Sequence, residues 1–308
     1  MATTAVPGAI GLVEADDDVR IERSGVLRRF RKHRLAMAGA VALILICAIA
    51  ILAPVLPLQD PNAIDQAHFQ GTPLAPGEAG HILGTDEIGR DLLSRLIFGA
   101  QISLMVAIFA VAMQIVIGSI LGAAAGFYGG ATDWIIMRIT DVFLSIPLLP
   151  LLLVLTAIVA ASSNKAALSF GVIVIIIGGL SWMGVARLVR ASFLSLREKE
   201  FTEAARAVGN QDVRIIFRHL LPNAVAPIIV AATLSIADVI LTESALSFLG
   251  FGIQPPTASW GNMLANAESN MAIAPWVAIF PGICILVTVL AVNYLGDGLR
   301  DALDPKMK

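Results

Sequence analysis

The 308 residues are 57% hydrophobic and only 14% charged, with a formal net charge of −2. A soluble domain of this length needs more charge to cover its surface, so the balance excludes an ordinary water-soluble enzyme or carrier. No basic surface points to nucleic acid and no acidic tract points to cation buffering.

In chain order, residues 1–27 mix Gly, Pro and Ala with Asp16-Asp17-Asp18, have no helical period and read as disordered. A basic stretch, Arg28 to Arg34, follows and completes a tail over 1–34. The apolar run from Leu35 to Leu58 outlasts the roughly 7–15 residues of a signal-peptide core, so it reads as a retained anchor. A bilayer core about 30 Å thick takes roughly 20 apolar residues per helix. Six blocks qualify, predicting an all-α polytopic membrane protein with spans over 35–57, 99–126, 142–162, 166–186, 223–246 and 275–296 of a transmembrane domain covering 35–308. With the N-terminus inside, all of the 21 Lys and Arg except Arg90, Arg95 and Lys165 fall on the inner side. That asymmetry orients the chain with both termini in the cytoplasm.

Cys47 and Cys284 lie inside apolar blocks as small apolar side chains, and His33, His68, His81 and His219 are scattered. Neither set has metal-ligand or disulfide spacing, so no metal site is expected.

Gly118, Gly122, Gly126 and Gly130 recur every four residues and line one face of the second span. A face without side chains admits a second helix closely, within this chain or from a partner. Asp133, Arg138 and Asp141 cluster before the third span, where Arg138 and Asp141 are spaced to pair on one helical face. Pro147 and Pro150 are expected to bend that span.

The segment 187–222 is the longest hydrophilic stretch between spans and reads as two short helices. In the first, Phe201, Ala205 and Val208 share a face, and Gly209 ends it in the left-handed conformation. Asn210 or Asp212 caps the second. There Val213, Ile216, Phe217 and Leu220 make an apolar stripe, before Pro222 opens the fifth span. Such an element fits docking into a partner's groove through Glu203 and the small Ala204 and Ala205, or lying on lipid headgroups.

Glu203-Ala204-Ala205, Gly209 and Leu221-Pro222 resemble the cytoplasmic EAA motif of ABC importer permeases, with His219 departing from the usual aliphatic residue. The run Leu83-Gly84-Thr85-Asp86-Glu87-Ile88-Gly89-Arg90-Asp91 with Ser94-Arg95 resembles the signature of the dipeptide/oligopeptide/nickel permease family. So do Phe248-Leu249-Gly250, Gln254-Pro255-Pro256 and Trp260-Gly261, and the ending Gly296 to Pro305 resembles its C-type subunit. The resemblance covers residue 28 onward. It implies a type I ABC importer permease fold and half of a membrane pathway for dipeptides or oligopeptides. It implies a homologous second permease, two ATP-binding subunits that hold ATP and Mg, and an external binding protein as partners, in a membrane lipid setting. Glu203, Ala204, Ala205, Gly209, Leu221 and Pro222 would couple to the ATPase. The chain has no Gly-x-x-x-x-Gly-Lys of its own, so no cofactor is expected on it and it is not expected to be an enzyme.

Asp238 and Glu243 sit inside the fifth span. Carboxylates there face the bundle interior or water, and a peptide's ammonium group makes either a candidate for the substrate path. A helix-packing hydrogen bond is the alternative for both, and for Glu243 simply reaching the outer water is another. Nickel, glutathione or an antibiotic peptide is the alternative cargo. An ion-coupled secondary transporter is the alternative class, against which stand the missing inverted repeat and the 187–222 element.

Overall fold

The computed structural model describes residues 28–163 and 169–303. The expectation of disorder over 1–27, the sidedness of Lys165 and the final motif residues Asp304 and Pro305 lie outside the described residues. Eleven helices carry the argument. They are α1 (Arg34–Leu52), α2 (Leu92–Tyr128), α3 (Gly130–Ser145), α4 (Leu148–Ser163), α5 (Phe170–Leu180), α6 (Met183–Arg197), α7 (Glu200–Ala207), α8 (Asp212–Ile215), α9 (Leu221–Phe248), α10 (Trp260–Ala267) and α11 (Trp276–Leu303). Among the described residues the only β-structure is two isolated bridges, Ile64 to Arg90 and Thr85 to Asp91.

Among the described residues, four helical stretches are long and apolar enough to cross a membrane, or up to six if each of two bent pairs counts as one span. The bundle is organised around α2, which packs on α1, α5, α6 and α9. At 37 residues α2 is about 55 Å long, well beyond the roughly 30 Å of a bilayer core. It starts well before the expected residue 99 because Asp91 caps it, its carboxylate accepting from Ser94 N at 2.8 Å and Ser94 Oγ at 2.6 Å.

The third and fourth spans differ most from expectation. Residues 142–145 end α3, and the chain then turns by 86° before α4. Pro147 lies in that break and Pro150 in the first turn of α4, where a missing N–H costs nothing. The fourth block begins at Phe170, breaks at Ser181-Trp182 with a 44° bend, and continues as α6 to Arg197. Arg187, Arg190 and Arg197 therefore sit on a bundle helix rather than on the projecting segment. The fifth span is continuous with α8 through a π-helical turn, Ile216–Leu220, so Pro222 stands in the first turn of α9 and does not punctuate a loop.

The glycine stripe serves packing within the chain at three of its four positions. A Cβ on Gly118, Gly122 or Gly126 would come within 2.5–2.7 Å of α6 or the residue before it: Val185 Cβ at 2.6 Å, Ala186 O at 2.5 Å and Phe193 Cβ at 2.6 Å. Gly130 is not part of that face. The helix has already ended at Tyr128, and Gly130 takes a φ of +53° in the turn into α3 with open space around it. The expected Arg138–Asp141 pair is replaced by bonds to α6. Arg187 binds Asp141 at 2.5 Å, and Arg190 grips both oxygens of Asp133. Pairing across helices fixes α3 against the bundle, which a pair along one helix would not do.

Candidate functional site

Two regions carry the sequence-derived candidates, a projection at one end of the bundle and a cavity in its middle.

At the projection, α7 begins straight after α6. Thr202 Oγ1 donates to Leu196 O at 2.9 Å, Ala205 is buried, and the Arg206 guanidinium stands 5.4 Å from the centre of the Phe127 ring. These contacts tie one face of α7 to the bundle and leave Glu203 and Ala204 in the open. Gly209 has a φ of +81°, and Asn210 N bonds to Ala205 O at 3.1 Å while Gly209 N bonds to Arg206 O at 2.9 Å. This is the left-handed helix closure expected at Gly209, and a β-branched residue cannot adopt it without strain. The next helix starts differently from expectation. Its N-cap is Gln211, without a side-chain cap bond, and Asp212 lies in the first turn, where its charge favours the helix dipole.

The apolar faces of this segment are also rotated from those expected. Thr202 and Ala205 face inward, while Phe201 and Val208 are exposed, Val208 to 83%. Ile215 and Leu220 are buried, while Val213 and Phe217 are exposed, Phe217 to 64%. Of the expected stripe, Ile216 and Leu220 pack on the bundle while Val213 and Phe217 face away, and a π-helical turn spans Ile216–Leu220. Phe201, Val208, Val213 and Phe217 are thus exposed on the segment that also exposes Glu203. His219 sits in the π turn and its carbonyl accepts from Asn223 Nδ2 at 2.6 Å; Leu221 is partly buried and Pro222 exposed.

The cavity holds about 760 Å³. Gln114 of α2, Pro147 of the α3–α4 break, Ser181 of the α5–α6 break, and Ser235, Asp238 and Thr242 of α9 give it its polar and broken-backbone walls. Irregular backbone at membrane depth is tolerated where it lines a cavity, and both breaks in this fold do so. Asp238 faces this space. Glu243 does not, because five residues along a helix is a rotation of about 140°. It is 0% exposed. Ser247 Oγ donates to its Oε1 at 2.7 Å and Ser103 Oγ approaches its Oε2 at 3.5 Å. Each hydroxyl holds a loop in turn: Ser247 Oγ accepts from Ile253 N at 3.1 Å and Ser103 Oγ from Trp260 N at 3.2 Å. The structure therefore gives Glu243 the helix-packing role, as the hub that pins residues 251–262 to α2 and α9. The serines were legible only as polar residues inside apolar blocks; that Ser103 meets Glu243 is a tertiary fact.

The remaining motif residues build the loop end. His81 is 2% exposed, with Nδ1 at 2.9 Å from Asp91 Oδ1 and Nε2 at 3.3 Å from Asp65 Oδ2. Its burial lowers its basicity, but the hydrogen bonds and charges of Asp91 and Asp65 outweigh that and leave it raised above 6.5. The hydrogen bond from His68, against some desolvation and helped by His81, holds Asp65 down at about 2. Arg90 and Arg95 converge on Asp86 at 2.6 and 3.2 Å, and Arg90 also meets Glu87 at 3.1 Å. Gly84 is obligatory, since its φ is +80° and a Cβ would lie 2.3 Å from Leu74 O. Trp260 Nε1 donates to Leu96 O at 3.1 Å, and Gly261 lets α10 lie against Ser244.

Residues 114–308 match the family described as binding-protein-dependent transport system inner membrane component. Residues 24–76 match the N-terminal transmembrane domain of oligopeptide transport permease C. The chain is 41% identical over 281 residues to a dipeptide transport system permease protein of Alkalihalophilus pseudofirmus, covering 91% of this chain and 89% of that one. It is 42% identical over 307 residues to a glutathione transport system permease protein of Escherichia coli O157:H7, covering 99% and 97%. Among solved structures it is similar to an inward-facing methionine ABC transporter, with a TM-score of 0.55 and 18% identity over 69% of this chain and 98% of the other, a likeness of fold.

Proposed function

This chain belongs to the family of binding-protein-dependent transport system inner membrane components, and from that premise we propose that it forms half of the membrane pathway of an ATP-driven peptide importer. Dipeptides and glutathione, named for its relatives, are both peptides, which favours that cargo class over nickel. In this reading a homologous permease supplies the other half of the path. Two ATP-binding subunits, holding ATP with Mg, sit against the two projections. The projection and both termini are cytoplasmic, and the loop end meets the external binding protein.

The exposed apolar side chains of the segment that carries Glu203 support the reading. Phe201 and Val208 at α7, which Thr202 and Arg206 fix to the bundle, and Val213 and Phe217 of the next helical stretch are large apolar groups left exposed. A helix so fixed transmits a push to α6 and, through the π turn, to α9. Glu203 and Ala204 form the docking face, Ala205 seats the helix on the bundle, Gly209 makes its closing turn, and Leu221-Pro222 opens the helix that moves.

The test is the purified complex carrying Gly209→Val or Glu203→Lys. Both variants are expected to insert normally, because neither residue lies in a span. Both are expected to lose uptake, either by shedding the ATP-binding subunits or by hydrolysing ATP without transport; a reversed charge at a close contact commonly costs several kcal/mol. Normal retention with normal uptake in both would reduce the segment to an interfacial helix.

A further inference from the structure

Asp238 and Glu243 stand five residues apart on α9, and the fold treats them oppositely. Glu243 is enclosed and accepts from hydroxyls. Asp238 is exposed to the cavity, and among the described residues no hydrogen bond or ion pair reaches its carboxylate; its backbone carbonyl alone is engaged, by Thr242 Oγ1 at 2.7 Å. A carboxylate at membrane depth without a partner is expensive and persists where water or a passing cation meets it.

The cavity around it has the size of a small-ligand site, about 760 Å³ against the roughly 300–1,000 Å³ usual for such sites. Asp238 is the one charged side chain among the described residues that line it. The other polar groups, Gln114, Ser181, Ser235 and Thr242, are neutral. Ser235, Asp238 and Thr242 follow one another at i, i+3 and i+7, so α9 presents a polar stripe with the charge at its centre. A negative charge in a space with apolar walls is weakly screened, and it discriminates by cargo charge.

We infer that Asp238 is the charge-selecting residue of the pathway, receiving the ammonium or other cationic group of a peptide and disfavouring peptides with net negative charge. The inference rests on the importer reading above. Delivery by a binding protein also selects cargo, so the test must separate passage from delivery. At saturating loaded binding protein the maximal rate reads passage alone.

The experiment uses the full complex in proteoliposomes, with maximal ATP-dependent uptake of Ala-Lys, Ala-Ala and Ala-Glu measured for wild type, Asp238→Asn and Asp238→Glu. Wild type is expected to pass Ala-Lys faster than Ala-Glu. Asp238→Asn is expected to cut the Ala-Lys to Ala-Glu rate ratio about tenfold, and Asp238→Glu to restore it. An unchanged ratio in Asp238→Asn overturns the inference while leaving the importer reading intact. Loss of the second permease from the Asp238→Asn complex overturns it in another way, by making Asp238 a contact between subunits. A wild-type complex that takes up none of the three dipeptides removes the peptide reading and this inference with it.

Discussion

The two ends of the bundle solve the same problem in opposite ways. At the loop end buried charge is paired, His81 between Asp65 and Asp91 and Arg90 and Arg95 on Asp86, and Glu243 lies under two serines. At the projection end Glu203, Val208, Val213 and Phe217 are all exposed. Buried ion pairs add little net stability but are costly to break, so they fix a loop in one arrangement without outside help. Exposed apolar side chains on a short helix cost free energy until something covers them. On the proposed reading, the contrast separates the part of the chain that is finished from the part that a partner would complete.

The contrast breaks most visibly with Arg95→Ala. Arg95 is 1% exposed, meets Asp86 at 3.2 Å and donates to Pro61 O at 3.1 Å. Removing it strands Asp86 and Glu87 with one guanidinium and unpins residue 61. The expected cost is about 3–5 kcal/mol, the usual range for breaking a buried pair. Thermal unfolding in detergent would show it, and a midpoint within a degree of wild type would mean that the loop end is not held by its charges. Next comes Gly122→Ala in the body between the two ends. Its Cβ would meet Ala186 O at 2.5 Å, a backbone atom that cannot move aside. The expected loss is about 1–3 kcal/mol, whereas Gly130→Ala meets no neighbour and pays only for its positive φ.

How much of this was legible follows from what each signal depends on. Apolar runs gave the spans because membrane depth fixes helix length whatever the packing. They misplaced the third because Val142 to Leu144 continues the apolar character of Leu148 onward, and only the 86° turn at Pro147 separates them. Gly118, Gly122 and Gly126 were legible as a packing face, since four-residue spacing is local geometry. Gly130 kept the spacing after the helix had stopped. Of the stripe over 213–220, Ile216 and Leu220 face the bundle and Val213 and Phe217 do not, and the π turn over 216–220 leaves no mark in hydrophobic periodicity. Asp133 and Asp141 found their arginines on α6, and Glu243 found Ser103 140 positions away, which no spacing rule reaches.

A smaller effect tests the loop end by pH. Both ring nitrogens of His81 face carboxylate oxygens, which only accept, so the ring must be the doubly protonated imidazolium to satisfy both. Asp65 and Asp91 are the charged groups facing it, with His68 on the far side of Asp65. Since the folded state raises His81 above its ordinary 6.5, it binds a proton there that the unfolded chain has released. The contribution is therefore complete below pH 6.5 and is lost as pH rises through the folded value. The slope cannot exceed about 1.4 kcal/mol per pH unit, the limit for one proton. The unfolding midpoint should fall as pH rises above 6.5 in wild type and stay flatter in His81→Gln; equal slopes would remove His81 from the account.

The smallest effect on stability is expected at Phe217, and it sharpens the comparison most. Phe217 is exposed, so Phe217→Ser removes no core contact and should change the stability of the isolated chain by no more than about 0.5 kcal/mol. If the projection is a docking surface, the same change removes a large aromatic anchor. Such anchors commonly contribute about 2 kcal/mol or more, roughly thirtyfold in affinity. Stability and association should therefore separate: an unchanged unfolding midpoint, with the ATP-binding subunits lost on dilution during co-purification. Arg95→Ala should show the reverse, a lowered midpoint with association intact at temperatures where the chain remains folded. Equal retention of the ATP-binding subunits by Phe217→Ser and wild type would place Phe217 in lipid, and a lowered midpoint would place it in the core. Either result would end the division of the molecule into a finished end and one that needs a partner.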